Sequence, residues 1–442
     1  MVAPAPLSAA SRLRPWVHLD RWQRRLVVVA AAGFVLRLGW VLFAARTPLY
    51  GHDPYFYLTY AERLADGHGY TTPDGAATAY YPVGYPAMLG GTLWLVRLLP
   101  GNHVLVAALG LNLLAGTTTI LVIGLVATRA VGPRAGLGAA CIVAFLPNFV
   151  FHTAAVLSET TFNALLATTL LVLCWRAWDE PWSLWRVVGA GALLGGAGLV
   201  RPLGLVVAPV LVAAWWFAAR RDRQDVLKRT VVLVGVLALI LGPWALRNQS
   251  ALGRLTLSTN TGDNLCIGNN PEAVGGFNLA PYCFAEEPRQ PFLTGGDGRD
   301  QRMTRRAVEW ASAHLSAQPA LLLWRTQATF LDDHDGLRAV QSYDDDPWLQ
   351  PRHEALLANV ADAAYFAVLG LAAIGIGRFA RRAEREPRRT FVVVVAVALV
   401  VAVWPFFGDP RFHLPVMLVL CVPAGHALAV VLERRTPADL AA

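Results

Sequence analysis

Charged residues are scarce in this chain of 442 residues. They make up 15% of it, against 55% for hydrophobic residues, and the mean hydropathy is +0.44. Soluble globular domains carry charges on roughly a quarter of their residues. The composition therefore excludes an ordinary soluble protein and predicts a polytopic membrane protein.

The sequence lacks the patterns that are typical of a structural zinc site, a repeat protein and a cleavable signal peptide. CxxC and HExxH spacings do not occur, so nothing points to a structural zinc site. There is no fixed-period repeat, which argues against a solenoid. The N-terminus lacks the arrangement of a cleavable signal, and the apolar run after it is long enough to span a bilayer. We expect this run to be a retained first helix.

Long apolar runs are abundant instead. Ten segments are long and apolar enough to cross the hydrocarbon when tilt and local thinning are allowed. They are 26–45, 104–128, 135–152, 160–177, 187–200, 203–218, 230–246, 356–377, 391–407 and 412–432. The pattern predicts an all-α fold of about ten transmembrane helices.

The placement of charge predicts the orientation of these helices. With both termini cytoplasmic, the inner tracts hold 22 of the 38 Lys and Arg but only 9 of the 30 Asp and Glu. Such an excess is typical of the cytoplasmic side of a multi-pass protein in the inner (plasma) membrane. It also accounts for the net charge of +8 without a nucleic-acid partner.

This topology leaves two large regions on the extracytoplasmic side, 46–103 and 247–355. The first contains two stretches of helical periodicity, which predict amphipathic helices along the membrane interface. The second is rich in turns and is predicted to have mixed structure. The chain is thus divided into an N-terminal transmembrane module at 1–246, the outer loop region and C-terminal transmembrane helices at 356–442.

The chain contains five cysteines. Cys141, Cys174 and Cys421 fall within apolar segments, where a thiol is usually a small packing group. Cys266 and Cys283 both fall in the second outer region, where oxidising conditions allow a disulfide. The sequence leaves their bonded and free forms equally open.

The stretch TPLYGHDPYFYLTY, at 47–60, places an acid just beyond the first span. Asp53 precedes a proline, a position from which an aspartate commonly caps the following helix. A general base at this depth would have a partly desolvated carboxylate, and His52 and Tyr57 are placed to orient it. The stretch alone is compatible with both roles.

Four more charged residues fall at helix ends on the outer side, namely Glu159, Arg201, Arg247 and Arg411. An acid in the first turn of a helix is favoured by the helix dipole, which is the structural explanation for Glu159. The positive-inside tendency disfavours outer arginines, so each is either structural or part of an anion site. Arginine suits a phosphate oxygen, and a carboxylate suits removal of a hydroxyl proton.

Five pieces of the chain carry a resemblance to a known family. They are GHDPYFYLTYAERLADGHGYTTPDGAATAYYPVGYPAMLG, LSETTF, GAGLVRPLGL, GPWALRNQSALGRLTLSTNTGDNLCIGNN and GDPRFHLPVMLVLCVPAG. At these pieces, which span most of the chain, it resembles the integral-membrane GT-C glycosyltransferases. The branch in question is similar to bacterial protein O-mannosyltransferases and lipid A aminoarabinose transferases. Each piece is loose alone, whereas the ordered set is more specific.

The resemblance implies a polyprenyl-phosphate-linked sugar as donor, entering from the membrane, and an acceptor on the extracytoplasmic side. Asp53 matches the acidic residue of the family's first loop and would be the base of an inverting single displacement. Arg201 and Arg411 would neutralise the departing phosphate, with Arg247 as a further candidate. Glu159 would orient the acceptor or the base.

The resemblance leaves several details open. Tyr81 and Tyr85, in YYPVGYP, would form a stiff wall beside the sugar or simply a loop-to-helix junction. Protein mannosyltransferases have Asp-Glu where this chain has HDP, which argues against protein mannosylation specifically. Some relatives use a divalent metal, for which Asp53, Glu159 and His52 are the candidate ligands here. No metal site is assigned.

Two other functions are compatible with the sequence. A transporter or flippase of lipid-linked saccharides also needs outer arginines, although transporters usually carry ionisable residues at mid-membrane and show related halves. A ligase for whole polymer chains uses comparable donors. The sequence does not identify the sugar, hexose or pentose, or whether the acceptor is a lipid, a glycan or a protein.

Overall fold

We describe the protein from a computed structural model, in which residues 20–98, 104–178, 182–218, 223–286, 298–381 and 386–435 are described. The terminal tracts 1–19 and 436–442, predicted to be cytoplasmic, lie outside these residues.

The described residues form eighteen α-helices, connected by loops and short 3-10 turns. The helices are α1 (Arg21–Ala44), α2 (Asp53–Ala65), α3 (Gly84–Val96), α4 (Val104–Ala130), α5 (Pro133–Phe145), α6 (Pro147–Ala154), α7 (Glu159–Cys174), α8 (Leu184–Val200), α9 (Val207–Ala218), α10 (Arg223–Leu252), α11 (Thr261–Gly268), α12 (Pro281–Phe284), α13 (Arg299–Ala313), α14 (Gln318–Phe330), α15 (Asp335–Val340), α16 (Pro351–Ala380), α17 (Pro387–Val403) and α18 (Leu414–Arg435). No strand occurs among the described residues, where the β structure is one isolated bridge between Thr71 and Ala77. The predicted all-α fold is confirmed.

Every predicted apolar segment falls on a helix, but fewer than ten of the described helices are long enough to span a membrane by themselves. Five described helices, α1, α4, α10, α16 and α18, are long and apolar enough to cross a membrane. The bent pair of α5 and α6 is a sixth candidate, and α7, α8 and α9 are apolar but shorter. The count of ten therefore stays a prediction.

The outer regions are helical where they are described. The first contains α2 and α3, at the two stretches predicted to be interfacial helices. The second contains α11 to α15, so its described residues are helices and turns rather than mixed structure. Between α13 and α14 the chain forms a 3-10 turn at Leu315–Ala317, which precedes Pro319 in the first turn of α14.

Glycines allow the central helices to approach closely. A Cβ added to Gly138 of α5 would lie 2.8 Å from the carbonyl oxygen of Gly425 in α18. A Cβ on Gly425 would lie 2.4 Å from the backbone nitrogen of Ala139. Only glycine fits at this backbone contact, which is a common way for membrane helices to associate. The contact fixes α18 in the bundle core, and α18 begins at Leu414, shortly after Arg411.

Arg37 lies buried in α1 and supports the break between α5 and α6. The two helices meet at a 49° bend, with Pro147 at the start of α6. Proline has no N–H to bond the carbonyl of the residue four positions earlier, here Val143. The Arg37 guanidinium donates instead to the carbonyl oxygens of Val143 at 2.7 Å and Ala144 at 2.9 Å. This arginine is therefore structural.

We predict that Arg37→Met destabilises the protein strongly. The variant keeps the volume of the side chain but leaves the carbonyls of Val143 and Ala144 without their donor, at a cost of about 2–5 kcal/mol. Thermal unfolding in detergent micelles measures the loss, and Arg25→Met, at an exposed position of the same helix, is the control. Equal melting of the two variants would contradict the structural role.

Candidate functional site

One cavity of about 810 Å³ joins the helix bundle to the outer loops. Its wall is built from parts of the chain that are far apart in sequence: the first outer region, the starts or ends of α7, α8 and α17, the second outer region and the turn before α18. The charged residues of the wall are Asp53, Glu159, Arg201, Asp263, Arg299 and Arg411.

Asp53 lies in the first turn of α2, where its carboxylate is held by two side chains. The Tyr81 hydroxyl donates to Oδ1 at 2.7 Å, and the Arg411 guanidinium donates to Oδ2 at 2.7 Å. Helix capping does not explain this acid, since the N-cap of α2 is His52 and no side-chain cap bond is present there. The Asp53 side chain is 27% exposed, so a ligand in the cavity can reach it.

Arg411 is positioned by a short 3-10 helix, Pro410–His413, that precedes α18. The Asp409 carboxylate caps this turn by accepting from the Arg411 backbone N–H at 3.0 Å. Gly408 lies directly against α14, where a Cβ would come within 2.1 Å of the Arg325 carbonyl oxygen. The GDPRFH sequence is therefore a tightly fitted turn that directs the guanidinium at Asp53.

Glu159 and Arg201 form a second acid–arginine pair in the same wall. Glu159 begins α7 and its side chain is 2% exposed, whereas Arg201 ends α8, where Pro202 follows. An unpaired carboxylate at this depth would be very costly, so the arginine is needed to keep Glu159 charged.

Tyr57 and Tyr81 line the cavity beside Asp53, with their rings 5.0 Å apart at the centroids. Burial, together with the negative charge of Asp53, raises the pKa of both phenols. Tyr81 therefore stays protonated and remains a hydrogen-bond donor to Asp53 over the physiological pH range.

Three of the predicted catalytic and binding residues do not line the cavity. Arg247 donates to the backbone carbonyls of Thr78 at 2.8 Å and Tyr70 at 2.6 Å, which ties α10 to the first outer loop. The Tyr85 hydroxyl donates to Asn112 at 3.3 Å within the bundle. His52 faces away and lies 2.7 Å from Asp345.

Cys266 and Cys283 are joined by a disulfide, with their Cα atoms 6.0 Å apart. The bridge connects α11 to α12, and both helices contribute residues to the cavity wall, namely Ile267 and Phe284. The other three cysteines are unbonded.

Asp263 and Arg299 also line the cavity, although neither was singled out from the sequence. The Arg299 guanidinium donates to Asp263 at 3.0 Å, and the Tyr80 hydroxyl donates to the same carboxylate at 3.0 Å. Tyr80 and Tyr81 are thus adjacent in sequence but bond to two different carboxylates. The signal in the sequence was the doubled tyrosine of YYPVGYP, which was compatible with a wall beside the sugar or a loop-to-helix junction.

The acids of the cavity do not fit a metal site. Asp53 bonds to Arg411 and Tyr81, Glu159 pairs with Arg201, and His52 pairs with Asp345 outside the cavity. Among the residues that the structure describes, no three His, Cys, Asp or Glu side chains are grouped so as to hold a metal ion. We therefore derive no step through a metal.

Comparison with solved structures identifies the architecture. The oligosaccharyltransferase of Archaeoglobus fulgidus, in complex with Zn and sulfate, matches with a TM-score of 0.55 and 18% identity over 93% of this chain and 49% of its own. ArnT from Cupriavidus metallidurans, bound to undecaprenyl phosphate, matches with a TM-score of 0.55 and 14% identity over 91% of this chain and 60% of its own. The chain has a GT-C fold.

The GT-C resemblance inferred from the sequence is thereby confirmed. The family model of the dolichyl-phosphate-mannose-protein mannosyltransferases matches residues 85–246, which include Glu159 and Arg201 but not Asp53 or Arg411. AglB from A. fulgidus, in complex with an inhibitory peptide and a dolichol-phosphate, matches with a TM-score of 0.52 and 17% identity over 95% of this chain and 51% of its own. The chain spans about half the length of these archaeal proteins. No curated protein matches the sequence.

We predict that Arg201→Ala is more harmful to folding than the double variant Arg201→Ala with Glu159→Gln. The single variant leaves a buried carboxylate unpaired, at a cost of about 3–5 kcal/mol, whereas glutamine removes the charge. Thermal unfolding in detergent micelles measures both. Arg97→Ala is the control, because Arg97 and Asp66 form an exposed pair whose loss costs less than about 1 kcal/mol.

A group of buried polar residues lies behind the site, in the outer loop region and α6. Asp335, at the start of α15, is 3.8 Å from Nε2 of His152. Burial and the nearby charge of Asp409 raise the pKa of Asp335 from 3.8 to about 7. The neutral carboxyl therefore stabilises the fold. This stability is complete below the pKa of the unfolded chain, 3.8, and is lost as the pH rises through the pKa of the folded protein, about 7.

We predict that Asp335→Asn gains stability relative to the parent protein as the pH rises. The amide stays neutral, whereas the parent loses stability as the pH rises between the pKa of 3.8 in the unfolded chain and about 7 in the folded protein. Melting temperatures of both proteins between about pH 5 and about pH 9 measure the difference. Asp346→Asn, at an exposed position, is the control. A difference that is constant over this range would contradict the assignment.

Proposed function

We propose that this protein is a membrane glycosyltransferase that moves a sugar, a hexose or a pentose, from a polyprenyl-phosphate donor to an acceptor hydroxyl on the extracytoplasmic side. The observation that carries the proposal is the contact of Asp53 with Arg411 in a cavity that also contains Glu159 and Arg201. A group that accepts a proton and a group that binds phosphate are adjacent there, as transfer of a sugar from a phosphate requires.

The cavity also offers a route for the lipid of the donor. Part of its wall is apolar and belongs to segments predicted to lie in the membrane: Val206 beside α9, and Ala402 and Val403 at the end of α17. Leu203 and Phe406 continue this apolar side. A polyprenyl chain lying along it would place its phosphate near Arg201 and Arg411.

The reaction would be a single displacement at the anomeric carbon of the donor sugar. The acceptor hydroxyl gives its proton to Asp53, and its oxygen forms the new bond to the anomeric carbon from the face opposite the phosphate. The bond from that carbon to the phosphate oxygen breaks, and polyprenyl phosphate leaves with one more negative charge. Attack from the opposite face inverts the configuration of the anomeric centre.

The two acid–arginine pairs give the site a way to respond to the donor. Without a phosphate, Arg411 stabilises the charge of Asp53, and Arg201 that of Glu159. A bound phosphate takes up part of the positive charge of Arg411, which makes proton transfer to Asp53 more favourable. The arginines then stabilise the charge that develops on the leaving phosphate, an effect that is larger in a poorly screened cavity than in water.

The ligands of the similar structures agree in kind with this proposal. ArnT is bound to undecaprenyl phosphate and AglB to a dolichol-phosphate, both of which are polyprenyl-type phosphates. The matching family is that of dolichyl-phosphate-mannose-protein mannosyltransferases. These similarities support the donor class for this chain and leave the sugar and the acceptor undefined.

We predict that Asp53→Asn reduces transfer by at least about a hundredfold while the protein stays folded, since a positioned base contributes about 10²–10⁴ to a rate. Membranes containing the variant and a labelled polyprenyl-phosphate sugar provide the assay. Asp66→Asn, which removes an exposed carboxylate of the same outer region, is the control and should keep normal transfer. Full transfer by the Asp53 variant would remove the base assignment.

A flippase is the main alternative, and the same membranes distinguish it from a transferase. Movement of the labelled lipid between leaflets without formation of a glycosylated product would support the flippase. Product formation with the donor supplied only on the outer side would support the transferase.

A further inference from the structure

The outer end of the cavity is formed by a wall of the second outer loop region that the proposed chemistry does not use. Ser258, Asn260, Thr261, Asp263 and Asn264 line it from the start of α11. The backbone N–H of Thr259 donates to the carbonyl of Ala79 at 2.8 Å, which joins this wall to the loop that carries Tyr80 and Tyr81.

The wall is held rigidly from behind. The Gly262 backbone N–H donates to the Asp300 carboxylate at 2.6 Å, and a Cβ on Gly262 would lie 2.1 Å from the Asp300 carbonyl oxygen. The Cys266–Cys283 disulfide and the Asp263–Arg299 pair add two further links to the start of α11. Side chains presented on such a support are preorganised for a ligand.

Two amides of this rigid wall remain available. Asn260 precedes α11 and Asn264 lies one turn later, and both line the cavity. Neither side-chain amide has a hydrogen-bond partner among the residues that the structure describes. Each amide offers two donors and an acceptor, a combination that matches a hydroxyl group, which donates and accepts.

The charges of the wall are neutralised within the protein. Asp263 is paired with Arg299 at 3.0 Å, and Asp300 with Arg254 at 3.1 Å. A wall with balanced charge does not select a phosphate or a strongly charged segment. It suits a neutral ligand that is rich in hydroxyl groups.

Apolar side chains of the same region complete the surface. Phe277, Leu279 and Phe284 line the same cavity. The C–H faces of a sugar ring can pack against such residues while its hydroxyls bond to polar neighbours. By contrast, the described residues contain no strand whose free edge would pair with an extended peptide.

We infer that the wall around Asn260 and Asn264 is the acceptor subsite and that the acceptor is a neutral saccharide. The inference rests on the proposed function, because it assigns the phosphate and the lipid to the arginines and the membrane side. The outer-loop side then receives the molecule that arrives from water. The acceptor hydroxyl is directed at Asp53 from there, past Tyr80 and Tyr81.

The kinetic experiment uses the full chain in proteoliposomes with a labelled polyprenyl-phosphate sugar. The acceptor probes are a panel of neutral oligosaccharides and a serine- and threonine-containing peptide. The double variant Asn260→Ala with Asn264→Ala should raise the acceptor KM by about tenfold, as expected for two lost hydrogen bonds, with kcat and the donor KM unchanged. Asn359→Ala, at an exposed position outside the cavity wall, is the matched control.

A binding experiment tests the subsite without relying on sugar transfer. Asn264→Cys is labelled with a maleimide, and labelling of the parent protein, whose unbonded cysteines are Cys141, Cys174 and Cys421, is subtracted. At least one neutral oligosaccharide should slow the labelling at position 264, in the presence or absence of Asp53→Asn. The peptide should have no effect.

The outcomes separate the two hypotheses. Protection by a saccharide without any detectable transfer would support the subsite and remove the proposed function. Normal transfer with an unchanged acceptor KM in the double variant would overturn the subsite alone. A rise in the donor KM instead of the acceptor KM, or protection by the peptide and not by saccharides, would also overturn it.

Discussion

The contact between Asp53 and Arg411 is the constraint on which the candidate site depends. It joins residues 358 positions apart, one just after the first helix and the other just before the last. Such a pair forms only if the whole bundle is assembled, with α18 packed against α5 through glycine contacts of a few ångströms. The site therefore depends on the packing of the whole bundle. Any change that shifts α18 would move Arg411 away from Asp53.

Pairing of opposite charges allows so many ionisable groups to share one wall. Glu159 with Arg201 and Asp263 with Arg299 repeat the arrangement of Asp53 with Arg411. Each pair lowers the cost of removing its members from water, and each can be reorganised by a ligand with charge of its own. The pairs differ in their surroundings. The pairs of Arg411 and Arg201 face the proposed donor phosphate, whereas the Asp263–Arg299 pair lies beside the neutral amides of Asn260 and Asn264.

The same residue type serves quite different purposes in this protein. Arg37 donates to backbone carbonyls at a helix break, and Arg247 donates to backbone carbonyls of a loop. Arg201 and Arg411 instead pair with carboxylates in the cavity. The sequence could not separate Arg247 from Arg201 and Arg411, because all three lie at the outer ends of predicted apolar segments. Arg247 was grouped with the other two on that ground, and only its partners distinguish it.

The sequence by itself determined the class of the fold and the positions of the apolar helices, because apolar periodicity and length are local properties. It also marked Asp53, Arg201 and Arg411, since charges beside apolar runs are conspicuous. Only the tertiary structure decided which charges meet, and it alone revealed the wall of Asn260, Asp263 and Asn264. The physical reason is that polar residues in a turn-rich loop show no periodic pattern. Their role depends on which residues lie next to them once the chain has folded.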